Sequence, residues 1–81
     1  MTGEILFMID ILPNYELEDQ IRAVAASFQI HYRHWPEMVL LHSSLREKYD
    51  LVEMGKTLGV SIETPQFVNR PSLMYVGGPP Q

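Results

Sequence analysis

The residues that most constrain this chain are Ile5-Leu6-Phe7-Met8-Ile9, an unbroken apolar run stopped by Asp10 and Pro13. Strand alternation puts Ile5, Phe7, Ile9 and Ile11 on one face and Leu6, Met8, Asp10 and Leu12 on the other. Both faces are apolar except at Asp10. The run therefore predicts a strand over 4–12 that needs cover on both sides and lies inside a sheet. The chain has 81 residues and no cysteine, so no disulfide can make up for a thin core. Such a strand must be covered by the chain's own elements or by a partner.

After Pro13, Asn14 can cap a helix whose first turn carries Glu16, Glu18 and Asp19 at the positive end of its dipole. Leu17, Ile21, Val24 and Phe28 then recur at helical spacing and form its buried stripe. Residues 29–35, Gln-Ile-His-Tyr-Arg-His-Trp, alternate and predict a half-polar strand. Pro36-Glu37 separates it from Met38–His42, a second strongly apolar strand. So short a gap predicts an antiparallel hairpin. Ser44 and Glu47 have capping-box spacing and open a second helix, with Leu45, Tyr49, Val52 and Leu58 facing inward and Gly59 ending it. Residues 60–64 supply a further strand, stopped by Pro65, and 72–76 allow one more.

This order predicts an α+β two-layer sandwich on the ferredoxin-like βαββαβ plan, with an extra C-terminal strand allowed. Residues 1–76 form one domain, and 77–81, Gly-Gly-Pro-Pro-Gln, are a fraying tail. The plan puts its first and third strands in the middle of the sheet, which suits the apolar segments 4–12 and 38–42. It leaves the polar segments 29–35 and 60–64 at the edges. A parallel βαβαβ sheet is the alternative, but it needs a crossover between residues 35 and 38, where there is no room.

In the predicted hairpin Trp35 lies opposite Met38, Arg33 opposite Leu40 and His31 opposite His42. Two helices can cover one face of the sheet. The other face is left with Leu6, Met8, Leu12, Met38, Leu40 and Trp35 beside Asp10, His31, Arg33 and His42. That exceeds what a monomer ordinarily exposes. Leu6, Met8, Arg33, Trp35, Met38 and Leu40 are thus the expected interface, with Trp35 and Arg33 as favoured anchor types.

Ten acidic against six basic residues give a net charge of −4, which argues against nucleic acid as a partner. Absence of cysteine excludes Cys-ligated zinc, iron–sulfur clusters and thiol nucleophiles. The N-terminus lacks a basic segment, and the apolar run is too short for a signal peptide or membrane helix, so a cytoplasmic protein without a membrane partner is expected. Among polar residues, Asp10, His31 and His42 are candidate acid/base groups or a pH-sensitive rim if they converge on the open face. His31 and His34 have HxxH spacing, but on a strand they point to opposite faces, and no metal or cofactor is expected. Ser43 and Ser44 follow a strand end and lead into a helix, a place where free amides can hold an anion, although no glycine-rich loop accompanies them.

RNA-recognition domains, metallochaperones, regulatory domains and dimeric α+β-barrel enzymes share the plan, and a shared plan does not transfer function. The central strands lack a basic–aromatic signature and there is no CxxC, which leaves the last two. The expected function is a small interaction or regulatory module that associates with a second copy, or with a protein partner, through the open face or an edge of its sheet. The alternatives are a dimeric small-molecule-binding protein or enzyme using Asp10, His31 and His42, and a protein of a mobile element that binds a host factor.

Overall fold

The computed structural model describes residues 5–78. Its elements are β1 (Ile5–Asp10), α1 (Leu17–Tyr32), β2 (Met38–Leu41), a 3₁₀ turn (Ser43–Arg46), α2 (Leu51–Leu58), β3 (Ser61–Glu63) and β4 (Leu73–Gly78). The four strands form one mixed sheet in the order β1-β4-β2-β3. β4 is antiparallel to both of its neighbours, and β2 and β3 are parallel. β1, β2 and β3 therefore all run the same way, and β1-α1-β2 is a split βαβ unit with β4 inserted. Two helices on a four-stranded mixed sheet make a two-layer α+β fold whose strand order and helix placement are compatible with a small ferredoxin-like architecture.

Three local expectations change. Residues 29–35 are not a strand: α1 runs on through Tyr32, and Arg33 closes it in the left-handed conformation (φ 68°) with its N–H donating to the Gln29 carbonyl at 2.8 Å. Ala25, Phe28 and Tyr32 continue the helical stripe; the rings of Phe28 and Tyr32 pack tilted against each other (4.8 Å), and both meet Phe7, Phe28 edge-on and Tyr32 tilted. That aromatic packing outweighs the local alternation. Without a strand at 29–35 there is no hairpin, and α1 itself is the crossover from β1 to the parallel β2.

The segment 72–76 is the second change. β4 is an interior strand rather than an optional addition, and it extends through Gly77 and Gly78, two residues into the expected tail. It takes the position that the sequence suggested for β1. Gly77 makes this approach workable, because a Cβ there would collide with the Ile5 carbonyl and the Leu6 side chain. β1 consequently lies at an edge, while β2 is interior and β3 is at the other edge, as their polarity predicts.

The third change is at the second helix, where Val52, expected to face inward, is exposed. Ser43–Arg46 is a short 3₁₀ turn, and α2 starts at Leu51, capped by Asp50 Oδ1 accepting from the Glu53 N–H at 3.1 Å. The core lies between the helices and one sheet face. Leu17 and Ile21 of α1, Leu51, Met54 and Leu58 of α2, and Val39, Leu41, Met74 and Val76 of the sheet form it. Gly55 lets α2 pass close to the sheet side, with the Val60 carbonyl 2.8 Å from where a Cβ would sit.

Candidate functional site

The register defines the face away from the helices. Leu6, Gly77, Met38 and Ser61 form one row across it, and Met8, Tyr75, Leu40 and Glu63 the next, with Asp10 beside Leu73. Four members of the expected interface, Leu6, Met8, Met38 and Leu40, do share this face. Half of it has cover from an unexpected source. Leu40 and Leu73 are 6% and 3% exposed although they stand outside the helix-side core. Val68, in the link between β3 and β4, is also buried, and Phe67 next to it sets its ring edge-on to Tyr75 at 5.4 Å. The link 64–72 thus folds over the β4–β2 part of the face and makes a small second core. Its turns are held by Val68 N–H donating to Pro65 O and Leu73 N–H donating to Arg70 O.

The β1 side stays open. Met8 is 61% exposed and Leu6 41%, and the segment after β1 adds exposed Leu12 and Tyr15. Among the described residues β1 also has a neighbour on one side only. The Ile11 N–H donates to the Ser72 carbonyl at 2.7 Å, which continues the β1–β4 ladder. Antiparallel ladders alternate, so Ile5, Phe7 and Ile9 turn their amides toward β4. Leu6, Met8 and Asp10 turn their N–H and C=O groups toward the free edge. An edge is ordinarily blunted by charge, proline, a bulge or brevity. β3 follows that rule: it has three residues, Ser61-Ile62-Glu63, with Pro65 close behind. β1 has six residues, is apolar from Ile5 to Ile9, and carries none of these devices before Asp10.

The remaining expected site residues are dispersed. His31 is an exposed residue in the last turn of α1, its Nδ1 3.0 Å from the Ser27 carbonyl. α1 runs back from the Asp10 end of β1, so His31 lies about 21 Å along the helix axis from Leu17, on the other side of the sheet. Asp10 and His42 share the sheet end but have β4 between them. Asp10, His31 and His42 therefore do not converge, and among the described residues no group of three His, Asp or Glu side chains could hold a metal. The loss of the hairpin is the physical reason.

Trp35 leaves the open face as well. It packs on the helix side, where its indole N–H donates to the Leu58 carbonyl at the end of α2 (2.8 Å). Arg33 is the exposed C-cap of α1, and among the described residues it makes no ion pair. His34 diverges from His31, though not by the strand alternation expected: α1 ends at Tyr32 and the left-handed Arg33 turns the chain between them. Its ring sits edge-on to Phe28 at 5.3 Å, and its Nδ1 donates to the Trp35 carbonyl. At the Ser43–Ser44 turn, His42 Nδ1 accepts from the Ser44 N–H at 3.1 Å and lies 2.8 Å from its hydroxyl, so the imidazole occupies the place of an anion.

Two surface grooves flank the strand ends. One, of ≈ 350 Å³, lies among Ile11, Leu12, Tyr15, Leu45, Tyr49 and Pro71. The other, of ≈ 580 Å³, is lined by residues including Arg46, Lys48, Asp50, Ile62 and Thr64. The larger groove's charged groups are exposed and of mixed sign, the smaller one's lining carries only the exposed Lys48, and neither groove contains Asp10, His31 or His42. Sequence reasoning missed two working parts. Gln20 clamps the turn after β1, with Oε1 accepting from Leu12 N–H (2.7 Å) and Nε2 donating to the Leu12 and Tyr15 carbonyls. Val68 seals the outer core; its only sequence signal is one aliphatic residue in a polar, proline-flanked link.

The chain matches no protein-family model, no curated protein and no solved structure. Among the described residues no helix is long and apolar enough to cross a membrane.

Proposed function

We propose that this protein is a small interaction module that binds another polypeptide as an added strand along the free edge of β1. The observation that carries the reading is the contrast between the two sheet edges. β3 is short and polar, whereas β1 is long and apolar and keeps the N–H and C=O groups of Leu6, Met8 and Asp10 unpaired within the described residues. Strand addition uses both parts of such an edge: main-chain hydrogen bonds supply affinity, and alternate side chains supply selectivity. Exposed Leu6 and Met8 would meet the incoming strand on the outer face, and Phe7 and Ile9 on the helix face.

A photo-reactive amino acid tests this when placed at position 8 and, as a control, at Thr57 on the exposed side of α2. In cells that naturally make the protein, irradiation is expected to give protein adducts from position 8 and none from position 57. No adduct at position 8, or the same adducts from both positions, would overturn the reading.

A further inference from the structure

We infer that the strand added to β1 is the β1 of a second copy, so that two chains join across a two-fold axis into one continuous eight-stranded sheet; this rests on the edge reading above. Two identical strands can pair antiparallel about such an axis, and the helices of both copies then lie on the same side of the joined sheet. One register suits the described strand best. With the axis at Met8, Met8 faces Met8 of the second copy, Leu6 faces Asp10, and Asp10 faces Leu6. All three residues with outward N–H and C=O groups then form hydrogen-bonded pairs, with two bonds in each pair.

An independent feature of α1 fits the same axis. Gln20, Ala23, Ser27 and Ile30 recur at spacings of three and four and so share one side of the helix. That side faces the β1 edge, because Gln20 hydrogen-bonds to Leu12 just beyond β1, and Leu12, Tyr15, Gln20 and Ala23 line one surface groove. Ala23, Ser27 and Ile30 are exposed, Ile30 by 75%. In a joined sheet the two α1 helices would run antiparallel beside each other, and small residues permit the separation of about 8–10 Å at which helices pack. A six-residue edge is a small contact by itself. The helix pair takes it toward the roughly 800 Å² per partner of stable interfaces.

Charge favours a second copy over an unrelated strand. α1 starts acidic, with Glu16, Glu18 and Asp19, and ends with His31 and Arg33. Arg22 already pairs with Glu18 and Asp19, whereas Arg33 makes no ion pair among the described residues. An antiparallel helix pair sets the acidic end of each copy beside the basic end of the other, with the helix dipoles opposed.

Sedimentation of the purified protein with single substitutions tests this. The wild-type chain is expected to sediment at twice its 9.3 kDa mass at micromolar concentration. Met8→Pro removes an outward N–H, which an edge strand tolerates, and should raise the dissociation constant about thirty-fold through two lost inter-chain hydrogen bonds. Ile30→Asp should also weaken the dimer, and circular dichroism confirms that each variant folds. Since the chain has no cysteine, Met8→Cys should oxidise to a covalent dimer, while Leu6→Cys, about 13 Å from its counterpart in this register, should not. A wild-type monomer at hundreds of micromolar would overturn the second-copy inference; adducts to other proteins from position 8 would then still uphold the edge reading, and their absence would remove both. A dimer that survives both Met8→Pro and Ile30→Asp, or that cross-links equally through position 6, would overturn the pairing.

Discussion

Val68→Ala tests whether the link between β3 and β4 is structural cover. Val68 is 2% exposed, beside a sheet face on which Leu40 and Leu73 are buried without help from the helices. The substitution removes the equivalent of two methylenes, about 1.6 kcal/mol of transfer free energy at ~0.8 kcal/mol each. If the link does not collapse into the space, a cavity of about 50 Å³ adds roughly 1 kcal/mol. The expected loss is therefore about 1.5–3 kcal/mol, or about 6–20 °C in Tm for a domain of this size. Val52→Ala is the matched control, since Val52 lies on α2 and is 71% exposed. The same atoms removed there should change stability by less than about 0.5 kcal/mol, with Ala the better helix former. Urea unfolding of the two variants, read by circular dichroism, gives the comparison. A Val68→Ala loss no larger than that of Val52→Ala would refute the second core.

Three further outcomes follow from particular contacts. Gly55→Ala should destabilise the protein even though Ala is favoured over Gly in a helix by about 1 kcal/mol, because the new Cβ would sit 2.8 Å from the Val60 carbonyl; thermal unfolding reads the sign. Gly77→Ala should cost more, about 3 kcal/mol or beyond, since the clash is with the Ile5 backbone inside the sheet; a neutral result in the same assay would contradict the β1–β4 register. Trp35→Phe removes the donor to the Leu58 carbonyl and should cost about 1 kcal/mol by urea unfolding, with no effect on the oligomeric state if Trp35 lies away from the interface.

How far the sequence could be read depended on whether local pattern or tertiary packing decided each element. β1, the first half of α1, β2 and β3 carry their own periodicity and stops, and all four form on the segments the pattern marks, although β1 lies at the edge of the sheet. Gln29–Tyr32 fits both periods: Ile30, Tyr32 and His34 alternate, and Ala25, Phe28 and Tyr32 recur helically. Only the contact of Phe28 and Tyr32 with Phe7 decides between them, and no local signal marks it. The helix then ends at a left-handed arginine, where a glycine would have announced the stop. β4 was obscured by the prolines around it, yet, like β2, it is an interior strand buried on both faces.

That exchange of places is what produced the candidate site. The apolarity of Ile5–Ile9 did signal a strand in need of cover on both sides and along its edges. β4 supplies one edge and α1 one face, and the other edge is left open. The triad Asp10, His31 and His42 depended wholly on the hairpin, so it dispersed when that segment proved helical.

Amide hydrogen exchange along β1, followed from micromolar to near-millimolar protein, tests the central claim most directly. Phe7 and Ile9, bonded to β4, should exchange slowly at every concentration. Leu6, Met8 and Asp10 should exchange quickly in dilute solution and slow down together as chains pair along the free edge. Protection of these three amides that does not change with concentration would contradict the account.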